Sequence, residues 1–316
     1  MNQQHTPKAA GGPAPPARGA SGRTPRRPAQ NPAQNPAQNS ARNTDQKMAM
    51  SDGEFTRLAD RVQALTGIVL PLYKRQLVIS RLRKRLRSLG LDGFGAYLAY
   101  LDSPAGEAET GEMINVITTN LTAFFREGHH FDDMARILAP RPGEAGKTRR
   151  RRIWSAACST GEEPYSIAIT ALQAGLAGPG ANLRILATDL DTAALSRAQA
   201  AAYPAERIDA CPPEYRRGYF DTLPDGQIRV SGRARGLVTF NQLNLHEPWP
   251  VKGPFDVIFC RNVLIYFDAE AKQAIVERFV GLLHPGGTLY LGHSESMLGN
   301  HPQLVNQGRT IFRKCA

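Results

Sequence analysis

Residues Ala157 to Pro164 read Ala-Cys-Ser-Thr-Gly-Glu-Glu-Pro, a turn of small side chains that ends in two carboxylates and a proline suited to the first turn of a helix. Such a turn lets a ligand approach the backbone closely. A dinucleotide would rest its pyrophosphate on the N-terminus of the following helix and would favour GxGxxG there. Glu162 and Glu163 repel a diphosphate and attract a cation, such as a sulfonium bearing an α-amino group. The pattern points away from NAD and towards S-adenosylmethionine, although two carboxylates at a helix start also complement the helix dipole with no ligand present.

Thr188-Asp189-Leu190-Asp191 follows Gly161 at the distance where a doubly wound sheet offers a carboxylate to ribose hydroxyls. Asp189 is the ribose candidate, whereas Asp191, directly before Thr192-Ala193-Ala194-Leu195, suits a helix cap. Asn244-Leu245 and Arg261-Asn262 each follow a further apolar run. An asparagine there either hydrogen-bonds an adenine edge or closes a turn. Asn120-Leu121-Thr122-Ala123-Phe124-Phe125-Arg126 sets two phenylalanines among polar groups, a pattern that packing between domains would also produce.

Short apolar runs at about 152–156, 183–188, 237–243, 255–260 and 288–292 must position these groups. Helical patterns follow the first, second and fourth, which predicts βαβ units and a parallel sheet. The last helix, about 269–283, ends at His284-Pro285-Gly286-Gly287, read as a turn before the final strand. Residues 207–236 break the pattern and read as a charged, turn-rich insertion, with Asp225-Gly226 between short strands.

Upstream, Ser51 is a candidate cap, and Phe55, Leu58, Val62 and Leu65 recur at helical spacing until Gly67. A second helix, about 72–89, sets Leu82, Leu86 and Leu89 on one face and crowds Arg81, Arg83, Lys84, Arg85 and Arg87 over the rest. Further helices are expected near 94–101, 107–117 and 129–138, then a linker over 140–150. Residues 1–50, with PAQN written three times and almost no aliphatic side chains, have the composition of a disordered tail.

The 316 residues and 41% hydrophobic content suit roughly two domains. No apolar run approaches the roughly 20 residues of a membrane span, and no signal peptide is evident, so a cytoplasmic location is expected. Cys158, Cys211, Cys260 and Cys315 are too scattered for a disulfide framework or a metal site, and no metal is expected. Of the formal charge of +11, about half lies in the first fifty residues, which hold seven Lys or Arg and one Asp. Charge alone therefore makes a weak case for nucleic acid.

Three segments together resemble the CheR-type chemotaxis receptor methyltransferases: Asn120 to Arg126, Ser155-Ala156-Ala157-Cys158-Ser159-Thr160-Gly161-Glu162-Glu163-Pro164-Tyr165-Ser166, and Phe259-Cys260-Arg261-Asn262-Val263-Leu264-Ile265-Tyr266-Phe267. The similarity runs from about Ser51 to the C-terminus. It implies an α/β fold: a Rossmann-like class I methyltransferase domain over 126–316 with an inserted antiparallel β-subdomain at about 207–236, preceded by a small all-helical domain over 51–125. It also implies an S-adenosylmethionine site on Asn120, Thr122, Arg126, Glu163, Asp189, Asn244, Leu245, Arg261 and Asn262, with Tyr266 beside the transferred methyl.

The implied reaction makes γ-methyl esters on glutamates of the cytoplasmic helical bundle of a transmembrane chemoreceptor, leaving S-adenosylhomocysteine. A carboxylate is already ionised at neutral pH, so no general base or side-chain nucleophile is required. Arg126 and Tyr266 are the residues expected to position the reactants, and Arg81, Arg83, Lys84, Arg85 and Arg87 would meet the acidic substrate helix. The insertion lacks a glycine-rich loop, so tethering to a receptor C-terminal peptide is not carried over. Two rivals remain: an RNA methyltransferase, supported by the basic helix and Arg149 to Arg152, and a non-catalytic scaffold that binds S-adenosylmethionine.

Overall fold

The computed structural model describes residues 49–139, 150–177, 182–295 and 301–315. The expected tail, save its last two residues, and the 140–149 part of the expected linker lie outside them. Met50, assigned to the tail by composition, is buried in the helical core.

Five helices lead the chain: α1 (Asp52–Thr66), α2 (Arg75–Ser88), α3 (Phe94–Leu101), α4 (Glu107–Ile117) and α5 (His129–Leu138). A capping box starts α1, because Ser51 Oγ accepts the Glu54 amide while the Glu54 carboxylate accepts the Ser51 amide. Phe55, Leu58 and Val62 are buried, each contributing roughly 1.5–3 kcal/mol, but Leu65 at the end of the same run stays on the surface. Gly67 ends α1 at φ +73°, and a Cβ there would lie 2.8 Å from His246 Nδ1. Only glycine meets both demands. The expected basic helix begins as a 3-10 turn, Leu72–Lys74, before α2, with Leu82 and Leu86 packed on Phe94, Tyr97 and Met113 in one core.

The sheet part contains β1 (Arg150–Ala156), α6 (Glu162–Gln173), β2 (Asn182–Asp189), α7 (Thr192–Ala200), β3 (Ala202–Tyr203), the one-turn α8 (Pro213–Arg216), β4 (Phe220–Thr222), β5 (Ile228–Val230) and the one-turn α9 (Gly232–Arg235). It continues with β6 (Val238–Gln242), β7 (Phe255–Cys260), α10 (Ala269–Leu282), β8 (Leu283–Leu291), β9 (Leu304–Asn306) and β10 (Ile311–Lys314). Seven strands form one sheet in the order β6-β2-β1-β7-β8-β10-β9. The first five are parallel, and β10 pairs antiparallel with both β8 and β9.

Side-chain alternation divides the core into two layers. Ile153, Val257 and Phe259 join Tyr165 and Ile169 on one face, while Trp154, Ile258 and Cys260 join Val276 and Phe279 on the other. Because the chain passes from β1 outward to β2 and β6 and then returns to β7, the strand order reverses beside β1, where open α/β sheets present a ligand crevice.

Two expectations are corrected. His284-Pro285-Gly286-Gly287 is not a free turn ahead of the last strand: β8 already pairs at Leu283 with Phe255, and the register shifts before Thr288 pairs with Val257. These residues form an irregularity within the strand. The small antiparallel sheet, ordered β3-β5-β4, also reaches outside 207–236, since β3 pairs Ala202 with Arg229.

Candidate cofactor and substrate site

Every strand from β6 to β7 ends at one cavity. Its lining comes from Leu243, Asn244 and Leu245 after β6, Asp189 and Leu190 at β2, Ala157, Ser159 and Glu163 after β1, and Arg261, Asn262, Val263, Tyr266 and Phe267 after β7. The helical part closes it with Ile68, Leu70, Lys74, Leu77 and Arg81, and residues 117–123 with Arg126 complete the wall. All ten residues that the sequence assigned to cofactor and catalysis therefore share one cavity: Asn120, Thr122, Arg126, Glu163, Asp189, Asn244, Leu245, Arg261, Asn262 and Tyr266.

The two aspartates take different partners, and Asp191 is the helix cap that its position suggested. Asp191 caps α7 by accepting the Ala194 amide at 2.9 Å, and it also accepts Asn120 Nδ2 and Thr118 Oγ1. Asp189 accepts the Ser159 and Asp191 amides at 2.7 and 2.9 Å, and burial pushes its carboxyl up to about 6 against those donors. Its two oxygens retain lone pairs beyond those amides for hydroxyl donors in the cavity.

The two glutamates also separate. Glu162 is fully buried, takes the Thr160 hydroxyl and pairs with Arg207 at 2.8 Å, so it joins α6 to the insertion rather than facing the cavity. Glu163 lines the cavity, accepts Ser155 Oγ at 2.7 Å and pairs with Arg261 at 3.2 Å. Burial raises its carboxyl above the usual range, with Arg261 opposing. Arg261 in turn donates to the Arg126 carbonyl, which ties the end of β7 to the segment before α5.

Arg126 donates to the Leu121 carbonyl at 3.0 Å, so its guanidinium shapes the 120–126 wall from within. Asn244 Nδ2 donates to the Leu65 carbonyl, and the Val69 amide donates to the Tyr266 carbonyl. The helical part is thus fastened to both flanks of the crevice. Lys74 Nζ stands 4.8 Å from the centre of the Tyr266 ring, a cation–π contact, and burial followed by Arg81 lowers its pKa.

The basic run on α2 does not act as a unit. Arg81 lines the cavity and donates to the Thr118 carbonyl at 2.8 Å and to Thr119 Oγ1 at 3.2 Å, while Arg85 pairs with Glu109 and Glu112. Arg83 is partly buried, and Lys84 and Arg87 are exposed. The exposed pair are the members of the run best placed to meet a partner.

Sequence reasoning missed Glu295, Glu127 and Lys74. Glu295, in the 3-10 turn His293–Glu295, accepts the amides of Asn262, Leu264 and Gly292 at 2.9, 2.7 and 2.7 Å, setting the backbone that carries Arg261, Asn262 and Tyr266. Glu127 lies 3.7 Å from Arg261 and 3.6 Å from His293; burial raises its carboxyl, but Arg261 and the neighbouring histidines bring it below the usual range overall. Both act through the fold, and their spacing in the chain carries no signal for it.

Among the described residues, no His, Cys, Asp and Glu cluster is arranged to hold a metal ion. No helix among them is long and apolar enough to cross a membrane.

Residues 120–311 match the family model described as the CheR methyltransferase SAM binding domain, and residues 53–118 match its all-alpha domain. The chemotaxis protein methyltransferase of Salmonella typhimurium is 44% identical over 271 residues, which cover 84% of this chain and 92% of that protein. That of Escherichia coli is 43% identical over 271 residues, with the same two coverages. Chemotaxis protein methyltransferase 2 of Pseudomonas aeruginosa is 43% identical over 272 residues, 85% of this chain and 95% of that protein.

Proposed function

The chain belongs to the CheR methyltransferase family, and from that premise we propose that its cavity presents the methyl group of S-adenosylmethionine to glutamate side chains of a chemoreceptor. It is an S-adenosylmethionine-dependent methyltransferase that acts on chemoreceptors. The glutamates modified belong to the cytoplasmic helical bundle of the receptor, and the enzyme works in the cytoplasm.

The observation that carries the residue assignment is the order of chemistry along the sheet edge. Leu243, Asn244 and Leu245 at β6 offer apolar contact and an amide edge to adenine, and Asp189 at β2 offers acceptors to ribose. Glu163 at β1 and Arg261 at β7 offer a carboxylate and a cation to an amino acid end. Base, sugar and amino acid follow one another in the cofactor as these groups do across β6, β2, β1 and β7. The buried carboxylates of Glu163 and Asp189 fit a cationic nucleoside.

When bound, the cofactor supplies an electrophilic methyl on a sulfonium. The receiving carboxylate is already ionised at neutral pH, so no residue of the chain has to move a proton. The chain then has only to orient and to exclude water, and orientation of this kind supplies on the order of 7 to 11 kcal/mol. Arg126 orders the 120–126 wall, and Tyr266, with Lys74 over its ring, bounds the space where the two reactants meet.

The test is transfer of radiolabelled methyl from S-adenosylmethionine to chemoreceptor-containing membranes, with RNA as a parallel acceptor and mild alkali to release methanol. Alkali-labile label on the receptor is expected. Label on RNA alone, or cofactor binding without transfer to any receptor, would overturn the reading in favour of an RNA enzyme or a scaffold.

A further inference from the structure

We propose that the mouth of the cavity is an apolar docking lip for a receptor α-helix, which grips apolar side chains about one turn from the target glutamate. The inference rests on the function proposed above and names how that site takes its protein substrate.

Seven large apolar side chains are exposed among the described residues, and six of them either line the cavity or stand within two residues of one that does. Leu77 and Leu121 line the cavity and are 44% and 78% exposed. Leu72 and Tyr73, the latter 82% exposed, sit between the lining residues Leu70 and Lys74. Ile265 lies between Val263 and Tyr266, and Leu65 directly precedes Thr66, all lining residues. Scattered exposed apolar groups are ordinary, but convergence on one opening marks an interaction surface.

What covers this lip must carry a carboxylate into the cavity, so the lip is continuous with the path of the substrate itself. The chain's own N-terminal segment offers no alternative, since residues 1–47 contain no Leu, Ile, Val, Phe, Tyr or Trp. An α-helix fits the mouth because residues three and four apart share a face about 5–6 Å apart. A glutamate that enters the cavity from such a helix places its i±3 and i±4 neighbours against the lip, as in other helix-in-groove contacts. Lys84 and Arg87, further along α2, remain for the more distant acidic residues of that helix.

Tyr73→Ala and Ile265→Ser come from two separate 3-10 turns, Leu72–Lys74 and Leu264–Tyr266, and remove no cavity-lining side chain. Each is compared with the parent, and with Val305→Ala as an exposed apolar control elsewhere, for cofactor affinity by calorimetry and for methylation of receptor membranes at low and high salt. The expected result is a rise of about fivefold or more in KM for receptor, persisting at high salt, with unchanged cofactor affinity and melting temperature. An unchanged KM in both variants, or an equal rise in Val305→Ala, would overturn the lip while leaving the receptor methyltransferase reading intact. A parent enzyme that methylates no receptor overturns that reading first, and this one with it.

Discussion

Glu295 fixes the backbone of Asn262: its carboxylate accepts the Asn262 amide at 2.9 Å while Asn262 is held in the left-handed region at φ +60°. The contact is closely fitted, because a Cβ on neighbouring Gly292 would lie 2.4 Å from Asn262 Nδ2. Glu295→Ala strands three amides that the carboxylate now accepts, at roughly 1–3 kcal/mol for each group left buried. Thermal unfolding should show a clear drop in melting temperature, and the KM for S-adenosylmethionine should rise more than kcat falls. Normal cofactor KM in a folded Glu295→Ala protein would contradict this role.

Arg261 and Glu163 form a second buried relationship, with side chains 2% and 12% exposed. Arg261→Met leaves the Glu163 carboxylate without its cation, a loss of about 3–5 kcal/mol for a pair of this kind. Adding Glu163→Gln should restore part of the stability and none of the cofactor binding. Thermal shifts with and without S-adenosylmethionine separate the two effects.

Asp189 supplies a pH dependence. Its folded value of about 6 lies above that of an unfolded aspartate, about 3.9, so the ligand-free fold loses stability as pH rises from about 4 through about 6. Ribose hydroxyls need the ionised acceptor, so cofactor affinity should move the opposite way and weaken roughly tenfold from pH 7 to pH 5. Calorimetry across that range checks it, and Asp189→Asn should bind weakly with a flattened profile.

Charge reversal on α2 should act unequally. Lys84→Glu and Arg87→Glu should slow receptor methylation at low salt, lose that effect at high salt, and leave cofactor affinity unchanged. Arg81→Glu should lower the melting temperature and cofactor affinity together, because Arg81 donates to the Thr118 carbonyl beside the cavity. Equal behaviour of all three variants would show that the contacts of Arg81 carry no weight.

The helices were legible because their signals are local. Ser51 as a cap, the apolar spacing of Phe55, Leu58 and Val62, and Gly67 mark α1 without reference to anything distant. The strands β1, β2, β6 and β7 announced themselves as apolar runs between turns. By contrast, β3, β9 and β10 are two to four residues long and exist only through their partners, and His284 to Gly287 looks like a turn until Leu283 is seen to pair with Phe255. The ten assigned residues that line the cavity were legible through motifs and the family resemblance those motifs carry. The split between Glu162 and Glu163 was not, because it depends on Arg207 and Arg261, both far away in the chain. Likewise, five cations on α2 look alike in sequence and differ only by the carbonyls and carboxylates that meet them.

The pairing of Glu162 with Arg207 bears on how such enzymes can be recombined. The insertion looks like an exchangeable module, yet Tyr203 Oη also donates to the Thr160 carbonyl at 2.8 Å, so its base is built into the loop before α6. A chimera cut at residue 201 would import a foreign base and leave a buried acid facing an unmatched surface. A cut after Arg207 keeps the anchor with the host, and donor sequence can then vary between there and β6.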